Sequence, residues 1–472
     1  MVATEAPPAG TREWLGLGLL SVPTVLLGLD VTVLYLALPS MAADLAPSPA
    51  QTLWIMDVYG FLIAGFLITM GTLGDRTGRR RLLMIGVSAF AAASLFAAFA
   101  PSAEALIAAR ALLGIAGATL MPSTLSLIGT MFTDVHQRAV AIGVWVTMFA
   151  VGMAAGPVVG GLLVDLFWWG AAFLLAVPAA AVVLVAAPRL LPEYSAPTGQ
   201  RLDLASVLLS LAAILPVVYA VKHIAANGFD LSTAALFLAG AVAGTVFARR
   251  QRRLDAPLVD VGLFADKGFS AALAVLLVGL VGVGGAMYLV TQYLQTVEGL
   301  SPAAAGLWMG PPALTMIVAA VGAPILARRV RPAVVIAAAL AVSVAGYLLI
   351  AGADLGGKAF VVAGFALVYL GLGGIAALGT DIVVGAAPAE KSGSAAALSE
   401  TVQEFGIAAG VALLGSLTTA IRLGRSPETP AEENAAFTAG LMASSLTAAV
   451  ATAAVAVLCM TTLKHLRPIG AD

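Results

Sequence analysis

Long apolar runs separated by short polar breaks account for most of the chain. A bilayer core of roughly 30 Å takes about 20 apolar residues per helix. Runs of that size lie at 15–38, 52–73, 82–100, 105–128, 139–163 and 170–190. A shorter pair follows at 204–221 and 232–247, and six more lie at 269–297, 302–327, 333–351, 359–386, 395–421 and 437–462. The pattern predicts an all-α polytopic membrane protein of fourteen transmembrane helices. It divides into a tail at 1–14, a six-helix bundle at 15–190, two extra helices with their connecting loop at 191–268, a second six-helix bundle at 269–462 and a tail at 463–472.

The polar breaks set the orientation. Between spans 2 and 3 stands GTLGDRTGRRRLL (71–83), with Arg76, Arg79, Arg80 and Arg81 on one short turn. Short loops rich in Lys and Arg stay on the cytoplasmic side. Fourteen spans place both termini and nineteen of the 24 Lys and Arg residues on that side. Lys222, Lys358, Arg422 and Arg425 fall outside, and Arg110 falls within span 4. The turn has a weaker copy, GAPILARRVRPAVV (322–335), after span 10, which keeps arginines and lacks the acid. Repeated halves with a site between them are a common construction of secondary transporters.

Composition agrees: 61% of the 472 residues are hydrophobic and 10% charged, and the mean hydropathy is +1.02. No soluble core could hide so much apolar surface. A net charge of −1 argues against nucleic acid as a partner. One cysteine, Cys459, allows no intrachain disulfide or thiol cluster, and no metal site or cofactor is expected. There is no G-x-x-x-x-G-K-[ST] loop to hold a nucleotide. The start, MVATEAPPAGTREW, reads as a cytoplasmic tail and span 1 as an uncleaved anchor.

With so few charges, those inside spans become the candidates for chemistry, since each costs roughly 2.5 to 3.5 kcal/mol at a helix centre. They are Asp30 in span 1, Asp57 in span 2, Arg110 in span 4, Asp381 near the inner end of span 12, and Glu400 with Glu404 on one face of span 13. Asp165, nearer a span end, reads as interfacial. Trp54 and Phe61 share a helix face with Asp57, and aromatic walls around a carboxylate suit a lipophilic cation. Asp30 and Asp57 are expected to make an outer acidic region, and the other three acids an inner one. Interhelical salt bridges are the alternative for each charge, and a membrane-belt anchor is the alternative for Trp54. His136, His223 and His465 all sit at span ends or in loops, which weakens a histidine relay. In span 5, GMAAGPVVGG spaces Gly152, Gly156 and Gly160 four apart around Pro157, a pattern for close packing and a bend. A desolvated carboxylate can exchange a proton for a cation, which would couple two fluxes.

Four motifs now align in order: LDVTVLYLALP (29–39), the loop at 71–83, LIAARALLGIAGA (106–118) and GMAAGPVVGG (152–161). They resemble the signatures of spans 1, 2/3, 4 and 5 in the fourteen-span drug:proton antiporters of the major facilitator superfamily, nearest to exporters of quaternary ammonium compounds and cationic dyes. PLVDVGLF, LSPAAAGL and SGSAAALSETVQEFG extend the resemblance over nearly the whole chain. It implies a gating role for the loop residues Gly71, Gly74, Asp75, Arg76, Gly78 and Arg79, with Asp75 latching against the start of span 13. It implies proton coupling by Arg110 and a hinge at Gly152, Gly156, Pro157 and Gly160. It also implies that Asp30, Asp57 and the span 13 acids bind protons or cationic drug. Span 10 lacks the acid linked to divalent cations in some relatives, which puts such substrates in doubt. The expected partners are lipophilic cations, protons and lipid, in the inner (cytoplasmic) membrane. Export of an endogenous metabolite or antibiotic is the alternative, with a membrane enzyme or receptor more remote.

Overall fold

The computed structural model describes residues 9–193, 203–254, 257–385 and 392–462. Among them fourteen helices are long and apolar enough to cross a membrane, and there are no strands. They are α1 (Thr11–Leu45), α2 (Pro49–Thr77), α3 (Arg79–Ala98), α4 (Ala103–Met131), α5 (Val140–Leu166), α6 (Ala171–Leu190), α7 (Leu204–Asn227), α8 (Leu231–Gln251), α9 (Lys267–Val297), α10 (Pro302–Ala327), α11 (Pro332–Ala351), α12 (Ala353–Gly385), α13 (Leu398–Gly424) and α14 (Pro430–Thr462). The chain is a multi-pass membrane protein. Several helices outrun their apolar core: α1 continues to Leu45 through Pro39, because a helix can extend into the wet interface once its backbone bonds are made. The turn from α1 to α2 is compact. Ala46 adopts a left-handed backbone (φ 45°), and Ser48 with Gln51 forms a capping box ahead of Pro49.

Small residues bring the helices together, as expected where lipid supplies no hydrophobic drive between them. α1 lies along α5, where a Cβ on Gly152 would fall 2.3 Å from the Val25 carbonyl and one on Gly28 equally close to that of Phe149. The same pairings recur in the second half. α1 with α5, α2 with α4, α3 with α4 and α3 with α6 in the first half correspond to α9 with α13, α10 with α12, α11 with α12 and α11 with α14 in the second. The parallel repeat that is faint in sequence is therefore plain in the packing.

α7 lies in the seam between the halves, against both α2 and α13, and α8 packs on α7. One end of that pair is fixed by Asp203, which bonds Arg250 at 2.8 Å, and by Gln251, whose amide donates to the Ser206 hydroxyl at 2.7 Å. At the other end His223 pairs with Asp230 at 3.4 Å. Bonds from the Ser232 hydroxyl and the Thr233 amide hold the Asp230 carboxyl down to about 2. The described part of the linker after α8 contains a short 3₁₀ turn, Val261–Ala265, with Leu263 buried.

Candidate functional site

The charged residues inside the bundle are first sorted by who neutralises them. Arg110 extends from α4 to Asp30 on α1, with Nη1 2.8 Å from Oδ2. Its Nε donates to the Ile55 carbonyl of α2 at 3.1 Å, and the guanidinium lies 4.4 Å from the centre of the Tyr59 ring. Three helices thus converge on one buried guanidinium. The planar, always-charged head explains the choice of Arg, since it bonds in two directions while its face rests on an aromatic ring.

Asp57 is neutralised from an unexpected side. Its Oδ1 accepts from Lys222 Nζ at 2.9 Å, and the same ammonium sits 3.7 Å from the centre of the Trp54 ring. Lys222 is 2% exposed. The sequence reading places it in an outer loop just past span 7, but the helix runs on to Asn227 and turns the residue inward. Trp54 and Phe61 do share a face with Asp57, yet Trp54 covers a lysine, and Phe61 packs on Phe405 of α13 with ring centres 5.7 Å apart. Asp30 and Asp57 therefore form two separate ion pairs, not one acidic region. The apolar run simply ended at Val221; an amphipathic Lys one step beyond it was the only signal, and it reads equally well as an interfacial anchor.

The second half supplies acids without cations. Glu404 on α13 is 6% exposed and makes no hydrogen bond or ion pair among the described residues. It lines a narrow crevice between the halves, together with Tyr35, Met56, Tyr59, Arg110 and Ala408. The helices are close here: a Cβ on Gly60 of α2 would stand 3.0 Å from that of Ala408. Glu400, one turn away, is half-buried, and Asp381 is exposed near the end of α12; neither has a hydrogen-bond or ionic partner among the described residues. Beside Asp381 and Glu400, the hydroxyls of Thr380 and Ser399 bond one another at 3.2 Å and tie α12 to α13.

The turn from α2 to α3 is cross-braced within the first half. Asp75 accepts from Arg79 Nε at 2.9 Å, one helical turn on, and Arg79 crosses Gly74 so closely that a Cβ there would lie 2.9 Å from its Cδ. Arg79 Nη1 also reaches the Pro122 carbonyl of α4 at 3.5 Å, while a Cβ on Gly71 would rest 3.7 Å from the Pro122 ring. Gly78 is needed for its positive φ of 101°, which Glu193 overlies. Glu193 pairs with Arg80 at 3.3 Å, and Arg80 also donates to the Leu191 carbonyl at 3.1 Å. Arg76 and Arg81 are exposed. Around the start of span 13, against which Asp75 was expected to latch, the side chains at 392–394 and 397 lie outside the described residues, as does the His136 side chain; the span 12 end at residue 386 and His465 are likewise outside.

Proline supplies two further connections. Pro157 has no N–H for the Met153 carbonyl four residues back. The Thr32 hydroxyl of α1 donates to that carbonyl at 3.0 Å. Gly156 and Gly160 make room, for Cβ atoms there would strike Thr32 and Val33. Pro39 likewise frees the Tyr35 carbonyl, which accepts from Gln292 Nε2 of α9 at 3.1 Å, across the seam, just before a π-turn at Tyr293–Val297. Nearby, Asp165 at the end of α5 accepts from the Ser301 hydroxyl at 3.0 Å and the Ala303 amide at 3.3 Å, at the start of α10. Prolines in spans were legible in sequence; their adopted donors were not.

Comparisons with known proteins agree with this architecture. Residues 20–411 match the family model of the Major Facilitator Superfamily. The chain is 43% identical over 452 residues to the multidrug efflux pump LfrA of Mycolicibacterium smegmatis, covering 94% of this chain and 90% of the relative. It is 34% identical over 412 residues to the methyl viologen resistance protein SmvA of Salmonella typhimurium, covering 86% and 82%. Among solved structures, a bacterial homologue of the human lysosomal transporter Spinster shares the fold with a TM-score of 0.70 at 17% identity, over 98% of this chain and 100% of the other. The chain belongs to the Major Facilitator Superfamily, and its relatives among multidrug efflux pumps agree with that superfamily's fourteen-span drug:proton antiporter family.

Proposed function

We propose that this protein is a proton-coupled exporter of lipophilic monocations, such as quaternary ammonium compounds and cationic dyes, working by alternating access in the inner membrane with both termini in the cytoplasm. The observation that carries the reading is Glu404, a buried carboxylate without a cationic partner among the described residues, set in a crevice between the halves and walled by Tyr35 and Tyr59. An unpaired carboxylate in a dry site is stable only if a proton or a cation joins it. Competition between the two at one group exchanges one flux for the other. The Arg110–Asp30 pair on the same crevice is the second coupling element, because a proton on Asp30 would release a guanidinium toward Glu404.

Efflux is supported by the relatives, and organic cations as a substrate class by the Salmonella relative's name, since methyl viologen is a bis-quaternary dication; the restriction to monocations is the narrower part of the proposal. The gating roles go to the braced turn around Asp75 and Arg79, which joins α2 to α3, and to Pro157 inside α5, where Thr32 of α1 takes up the freed carbonyl. Orientation rests on the arginine-rich loops. In this reading, liposomes containing the protein take up ethidium when a pH gradient is imposed, and collapse of the gradient stops uptake. Uptake indifferent to the gradient would remove the coupling, and no uptake of any cation would remove the export reading.

A further inference from the structure

The Asp57–Lys222 pair is poorly explained as a tie between α7 and α2. Apolar contacts already make that connection on both sides: Phe61 and Val218 with Ala408, and Val58 and Leu62 with Val207 and Leu211. Replacing a buried ion pair by apolar side chains is often neutral or stabilising, so a pair kept in such a setting calls for another role. The pair is also incomplete. Asp57 Oδ2 is buried with no hydrogen-bond partner, although Oδ1 takes the Lys222 ammonium at 2.9 Å.

What the three residues build is a carboxylate and an indole face closing on one positive charge, the ammonium lying 3.7 Å from the Trp54 ring centre. That is the chemistry by which proteins hold organic cations. Its cation arrives on a flexible stem from a helix at the seam between the halves. Lys222 also has somewhere to go. It stands five residues before the end of its helix at Asn227, within reach of the interface for a snorkelling side chain.

We propose that Lys222 is a built-in occupant of a cation subsite formed by Asp57 and Trp54, and that a lipophilic monocation entering at the α2–α7–α13 seam displaces it. The proposal rests on the cation-export reading and adds the residue that guards the subsite. It makes Lys222 a specificity-determining residue: a cation binds there only if its contacts with the indole and the carboxylate exceed those of the resident ammonium. Strongly hydrated small cations are then excluded, because they gain too little from the ring to give up their water.

Tetraphenylphosphonium is the probe, with the full chain in nanodiscs. Reductive methylation followed by mass spectrometry reads the exposure of each lysine. Saturating probe is expected to raise modification of Lys222 several-fold and to leave Lys267 and Lys358 unchanged. Unchanged or reduced Lys222 modification with the probe bound overturns the proposal and leaves the export reading intact. As a second arm, Lys222→Met is expected to bind the probe about tenfold tighter than the wild type, a gain of about 1.4 kcal/mol, and adding Asp57→Asn is expected to erase that gain. Equal affinity in Lys222→Met and wild type would also overturn the proposal. Should Lys222→Met fail to fold, the labelling result on the wild type decides. Probe binding to neither protein removes both the subsite and the cation-export reading.

Discussion

The two halves repeat one another in helix pairing and differ in how they handle charge. In the first half each acid within the bundle has a cation: Asp30 has Arg110 of the same half, and Asp57 has Lys222 from α7 at the seam. In the second half Glu400, Glu404 and Asp381 have none among the described residues. Charge is costly in lipid wherever it stands, so the halves carry that cost in different ways. The first resolves it with one internal pair, Arg110 on Asp30, and one cation lent by α7, Lys222 on Asp57. The second leaves it open at Glu404, facing the Arg110 side of the crevice. A fold made of two similar bundles thereby gains an electrical asymmetry across its seam, with paired charges on one wall and an acid unpaired among the described residues on the other.

This contrast can be broken from either wall. The largest expected effect is Arg110→Met, which strands Asp30 in a dry site; removing one partner of a buried pair costs about 3–5 kcal/mol. Thermal unfolding in detergent should fall steeply and transport should vanish. Adding Asp30→Asn should restore most of the stability and none of the transport. Recovery of both would make the pair a purely structural brace.

Glu404→Gln should do the reverse. It removes a charge that no side chain balances, so thermal stability should hold or rise, while pH-driven dye uptake falls below about a tenth of wild type, a barrier change of more than about 1.4 kcal/mol. A variant that loses stability instead would show that Glu404 has a compensating partner in the resting protein.

The smallest effects belong to the two more accessible acids. Glu400→Gln should slow uptake by a few-fold, since Glu400 is half-buried one turn from Glu404. Asp381→Asn should change it by less than twofold and move stability by no more than about 0.5 kcal/mol, the usual range for an exposed site. If Asp381→Asn matched Glu404→Gln in its effect, the second wall would extend to the end of α12 and the contrast would need redrawing.

Much of the site was legible before any coordinates. Asp30, Asp57, Arg110 and Glu404 stand out because charge is rare in apolar runs, and Gly152, Gly156 and Gly160 because small residues four apart line one helix face. Lys222 was missed for a physical reason. Hydropathy locates the apolar core of a helix but not its end, and a lysine near an end is the residue that most easily faces either way. The pairings were also beyond reach, as periodicity reports which face of a helix is apolar and says nothing of which neighbour meets it. Asp30 and Asp57 looked like one acidic region from their spans, and packing of α4 and α7 separated them.

The sequence by itself determined that the chain spans a membrane fourteen times, because the bilayer imposes a length and a polarity on every helix. It determined the probable chemistry only as an inventory of acids, bases and bends. The tertiary structure decided who meets whom: Arg110 meets Asp30, Thr32 the carbonyl that Pro157 frees and Gln292 the one that Pro39 frees, while Glu404 meets no cation among the described residues. Such partnerships join residues up to 257 positions apart. Helix packing sets them, and no local pattern in the chain encodes them.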